Sequence, residues 1–85
     1  MTLAQQLNQI VKDFYQIPLE RMGDPTREEA LATHNAIVEI REANIEEIRA
    51  AYFSGTKGAE LTQADDNATA LSHRIVRTWG GIFTA

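Results

Sequence analysis

Cysteine is absent from the 85 residues, so no disulfide staples the fold and no thiolate serves as nucleophile or metal ligand. This says little about compartment, because a cysteine-free chain suits the cytoplasm and also suits export without signal processing. No stretch approaches the roughly 20 consecutive apolar residues of a membrane span. The opening Met1-Thr2-Leu3-Ala4-Gln5-Gln6 lacks the basic stretch and apolar run of a signal peptide. A cytoplasmic protein that does not enter a membrane is expected. Basic excess is lacking as well. A formal net charge of −4 and a pI near 5.0 disfavour binding to phosphate backbones or anionic lipid and favour neutral or basic partners.

The usual chemical motifs are missing too. Neither histidine completes a Glu-x-x-His pair, since Leu31 precedes His34 by three and Ala70 precedes His73 by three. There is no His-x-x-x-His pair, glycine-rich phosphate loop or nucleophile elbow. No metal or cofactor is expected, and the chain reads as a non-enzyme.

What is present is ordinary globular material, 44% apolar and 24% charged. It is enough for one domain burying roughly 60–65% of its extended surface. Proline and glycine divide it into three helical stretches, predicted over 3–16, 25–53 and 59–79, with a short tail over 80–85. In the first stretch Thr2 is placed to cap, and Leu3, Leu7, Ile10, Val11 and Phe14 recur at helical spacing. The second opens with Asp24 as cap and Pro25 at the first helical position, with Glu28 and Glu29 at the positive dipole end. Its stripe is Leu31, Ile37, Val38, Ile45, Ile48 and Tyr52, with His34 and Arg41 inside it. Asn44 with Glu47 has the pattern of an internal capping box. The stripe nevertheless keeps its phase across Asn44, so one unbroken helix of roughly 43 Å is expected.

The third stretch has the seam Leu61, Ala64, Ala68, Leu71, Ile75 and Trp79, acidic near its start and basic near its end. Gly80-Gly81 terminates it, and Ile82 and Phe83 are expected to return to the core. The short linker Gly55-Thr56-Lys57-Gly58 predicts that the second and third helices form an antiparallel hairpin. The fold class that follows is all-α: a three-helix arrangement with a short N-terminal helix packed on a long helical hairpin. The second helix would overhang so small a bundle. A homo-oligomer joined through Ile37, Val38, Ile45, Ile48 and Tyr52 would cover the surplus.

Two features of the second helix are candidates for function. Glu39, Glu42 and Glu46 lie opposite most of the apolar stripe, at spacings of three and four that repel by a few tenths of a kcal/mol per pair. They read either as an acidic docking face for a basic protein or as a solvated face that maintains solubility. His34 and Arg41, seven apart on one face, read either as a ligand-orienting pair or as members of a helix–helix seam, with Arg41 snorkelling or paired to a carboxylate.

Two stretches carry family likenesses. Leu61-Thr62-Gln63 and Leu71-Ser72-His73-Arg74-Ile75-Val76-Arg77-Thr78-Trp79 resemble the helix-turn-helix of Cro/repressor-type regulators. That likeness implies DNA binding by 61–79, although it needs a one-residue deletion and lacks the inter-helix glycine. Phe53-Ser54-Gly55 and Trp79-Gly80-Gly81 resemble the turn and C-terminal signatures of WXG-type secreted helical hairpins, with phenylalanine in place of the turn tryptophan. The residues themselves favour a non-enzymatic helical interaction module, a small acidic adaptor or inhibitor of bacterial or phage type that binds a protein partner through its second helix.

Overall fold

The computed structural model describes residues 1–80, and every regular element among them is helical. The elements are α1 (Leu3–Arg21), α2 (Arg27–Ala43), α3 (Ile45–Phe53) and α4 (Ala59–Thr78), with a single 3-10 turn at Gly55–Gly58 before α4. The expectations placed on Gly81, Ile82 and Phe83 lie outside the described residues.

Thr2 caps α1 as its sequence predicts. Its hydroxyl accepts from the Gln5 amide at 3.1 Å, and the Gln5 side chain accepts from the Thr2 amide at 2.8 Å. The helix does not stop before Pro18, as expected, but continues to Arg21. Pro18 removes one backbone bond and sets its ring against the carbonyl four residues back. Two contacts hold the extra turn: Ile17 packs on the core, and Arg21 reaches Glu29 at 2.6 and 3.0 Å and the Asp24 carbonyl at 2.7 Å. Met22 then ends the helix in left-handed conformation, φ 54°.

The start of α2 also differs from expectation, because Thr26 caps it and Asp24 does not. Thr26 and Glu29 exchange bonds of 3.2 and 2.9 Å. Asp24 has Arg27 three positions on, which cannot return a bond to the cap amide, so the start lies two residues later. Pro25 is left in the connecting loop.

The expected unbroken second helix is broken at Asn44. Its amide bonds to the Arg41 carbonyl at 3.3 Å, and its side-chain amide takes the vacated Ile40 carbonyl at 2.9 Å. No capping box with Glu47 forms. Asn44 breaks the helix because its side chain replaces its own backbone donor, a local competition that apolar phase does not register.

The three shorter helices all pack against α4. Ala64, Ala68, Leu71 and Ile75 of α4 meet Leu7 and Phe14 of α1, Ala30 and Ile37 of α2, and Ile48 of α3 in one buried cluster. The small alanines lie mid-seam, as the sequence indicates. Because α2 and α3 each lie on α4, the longest dimension is 39 Å, and the overhang that motivated self-association is gone. Helix α4 is continuous from 59 to 78, so 61–79 contains no turn and the helix-turn-helix geometry is absent. Phe53-Ser54-Gly55 does form the reversal into α4, with Gly55 at φ 63°.

At that reversal Gly58 is pressed against α3. A Cβ on Gly58 would lie 2.7 Å from the Ala51 Cα and nearer still to its carbonyl, whereas one on Gly55 would meet nothing. Gly58→Ala should cost about 2–3 kcal/mol through backbone displacement. Gly55→Ala should cost about 1 kcal/mol through its left-handed φ alone. Urea unfolding of the two variants should show that order.

The Arg21–Glu29 link makes the α1–α2 corner sensitive to acid. The guanidinium of Arg21, then the backbone amide of Thr26, hold the Glu29 carboxyl down to about 2 from an ordinary 4.5. A depressed folded value means the contribution is whole above about pH 4.5 and is lost as pH falls through about 2. Melting between pH 5 and 2 should therefore show wild type losing more stability on acidification than Glu29→Gln.

Candidate functional site

The exposed side of α2 and α3 is acidic. Glu39, Glu42, Glu46 and Glu47 are all exposed, and the only ion pair involving any of them among the described residues is Glu46 with Arg49 at 3.8 Å. Beside them Val38, Arg41, Glu42 and Ile45 line a shallow groove of about 240 Å³. The groove spans the break at Asn44, so one end belongs to α2 and the other to α3. Val38 and Ile45 are half-buried there and supply its apolar surface.

From this groove Arg41 reaches α4. Its Nε donates to Asp65 Oδ1 at 2.7 Å, pairing a side chain 35% exposed with one only 3% exposed. The hydroxyl of Tyr52 lies 2.9 Å from the other Asp65 oxygen and 2.6 Å from Asp66 Oδ1. A hydroxyl carries one proton, so it donates to one carboxylate at a time. The Asp66 bond first, then burial and Asp65, raise the Tyr52 hydroxyl above its usual range and keep it protonated. Two turns further along α4 than Asp65, Ser72 Oγ and His34 Nδ1 are hydrogen-bonded at 2.7 Å. His34 and Arg41, taken from the sequence as a pair, thus serve two separate polar contacts along the seam with α4.

The proposed self-association residues are dispersed. Ile37 and Ile48 are in the core of the single chain, and Tyr52 is engaged with α4. Only Val38 and Ile45 keep apolar surface at the groove. The acidic start of α4 reads from sequence as a match to the helix dipole, which does not reveal Asp65 as the buried partner of Arg41. A signal was available: Asp65 falls four after Leu61 and three before Ala68, inside the α4 seam, just as Arg41 falls inside the stripe of α2.

A second concavity, about 320 Å³, opens between α1, the α1–α2 loop and the end of α4. Phe14 meets Trp79 edge-on at 6.2 Å and Tyr15 at 6.0 Å. Pro18, Pro25, Asp24 and Thr78 complete the wall. Arg74 lies 5.5 Å over the Tyr15 ring and donates to its hydroxyl at 3.2 Å. Neither an aromatic cleft here nor these partners are evident from helical spacing, because the residues come from three separate parts of the chain.

The Arg41–Asp65 pair gives an asymmetric expectation. Arg41→Ala strands a buried carboxylate, whereas Asp65→Ala leaves a guanidinium that already reaches water. The first should lose about 2–4 kcal/mol, and the second less. Tyr52→Phe should lose about 1 kcal/mol, and chemical denaturation of the three variants checks the ranking. No family model, curated protein or solved structure matches the chain.

Proposed function

We propose that the chain is a non-catalytic binding protein that takes a basic segment of a protein partner on the outer face of α2 and α3. The observation that carries this reading is an acidic edge, with one loose ion pair at Glu46, beside a partly apolar groove. Glu39, Glu42 and Glu46 are exposed, and Val38 and Ile45 line the groove next to them. Arg41, which lines the groove, has its charge engaged by Asp65, and Arg49 reaches the edge only through its 3.8 Å contact with Glu46. An acidic rim speeds encounter and selects basic partners, while apolar contact at the centre supplies affinity. A small protein of net charge −4 with such a face is suited to act as an adaptor or an inhibitor, occupying a surface that its partner otherwise offers to an anionic ligand.

Affinity capture from the source cells, with wild type beside the Glu39→Lys, Glu42→Lys, Glu46→Lys triple variant, tests the proposal. All three positions are exposed, so the variant should keep its helical circular dichroism. The expected result is a basic protein retained by wild type, lost by the variant, and held less well as salt rises from about 0.05 to 0.3 M. Equal retention by both chains would remove the acidic face from the function.

A further inference from the structure

The two most distinctive apolar features outside the core lie at opposite ends of α4. At its N-terminal end, Phe53 projects from the last turn of α3 with 91% of its surface exposed. At its C-terminal end is the aromatic cleft formed by Phe14, Pro18, Pro25 and Trp79. The 20 residues of α4 place these features roughly 30 Å apart, so a chain cannot seat its own Phe53 in its own cleft.

The cleft is large enough for such a ring. A cavity of about 150 Å³ accepts benzene, and this one holds about 320 Å³. The charges around the two features also match. The cleft rim carries Arg74, whose contacts are the face and hydroxyl of Tyr15. Among the described residues Arg74 has no carboxylate within ion-pair distance. Asp24 lies on the same rim, and its carbonyl, not its carboxylate, receives Arg21. On α3, Glu46 and Arg49 precede Phe53 by seven and four residues and so share its helix face. Their mutual contact is a loose 3.8 Å between exposed groups. One anion and one cation therefore flank the ring, and one cation and one anion flank the cleft.

We infer that this cleft receives Phe53 of a second copy of the chain, with Glu46 of that copy facing Arg74 and its Arg49 facing Asp24. The contact shares Glu46 with the acidic face described above but uses none of the residues that line the α2–α3 groove, and it does not depend on the partner proposed for that groove. Each copy can donate a phenyl ring at one end of α4 and accept one at the other. A tenth of the 5705 Å² surface from each copy would bury about 1,100 Å² in all, at the lower edge of specific interfaces, so association in the micromolar range is expected.

Sedimentation of the full chain from about 1 to 300 μM tests the inference. The expected result is a mass that rises with concentration above 9.5 kDa. Phe53→Ala, at an exposed helical position, should weaken association about 30-fold or more, the loss typical of a central aromatic anchor. Arg74→Glu with Thr78→Arg should block the cleft, and their spacing of four favours the helix. Each variant alone should be monomeric. Mixed in equal amounts they should associate again, because one brings an intact cleft and the other an intact Phe53. Three results would each overturn the inference. A chain that stays monomeric throughout leaves the cleft to a foreign side chain. Association indifferent to Phe53→Ala places the interface elsewhere. Failure of the mixed variants to associate removes the complementarity.

Discussion

Asp65 brings a carboxylate into the seam of α4, where only 2% of the residue is exposed. An unpaired charge there would be costly, and replacing one partner of such a pair is far worse than never having built it. The structure meets this requirement from two directions: Arg41 comes from α2 and Tyr52 from α3. These two anchors stand eleven positions apart, about 16 Å of straight helix, and both must reach one side chain. The break at Asn44 lies between them, so α2 and α3 can each take their own angle on α4. A paired charge of this kind contributes little net stability, but it fixes which turn of α4 faces which turn of its neighbours.

The same constraint sorts the polar residues of α2 into two groups. Arg41 and His34 are drawn to α4, by Asp65 and by Ser72. Glu39 and Glu42 are left outside and, with Glu46 of α3, form no ion pair with α4 among the described residues. The acidic character of the outer face is therefore partly a product of the buried pair, because Arg41 is engaged by Asp65 and Arg49 makes only a loose contact with Glu46. At the far end of α4 the charge is mixed, with Arg74 held over Tyr15 and Asp24 on the rim of an aromatic cleft. A small chain thus presents two unlike surfaces on a shared central helix.

The path of the chain was legible wherever it depends on neighbours in sequence. The cap of Thr2 with Gln5 rests on residues three apart. The α4 seam rests on repeats of three and four, and the reversal at Gly55 rests on one residue's tolerance of positive φ. Where the reading failed, a competing local effect prevailed. Asn44 satisfied the Ile40 carbonyl with its side chain, Pro18 was carried through by packing of Ile17, and Thr26 displaced Asp24 as cap because only Thr26 has a glutamate three residues on.

The sequence by itself determined an all-α chain, most of the buried face of α1, the seam of α4 and the exposed position of Glu39, Glu42 and Glu46. Periodicity and capping act within a turn or two, and the information for them is contiguous. Only the tertiary structure decided that Arg41 meets Asp65, 24 residues away, that Ile37 and Ile48 are spent inside one chain, and that Phe14, Pro25 and Trp79 surround a cleft. Each helix has several apolar and charged positions that would satisfy its own periodicity. Which of them face one another is set by how distant segments share α4, and that follows from packing three helices on one surface while leaving a single buried carboxylate paired.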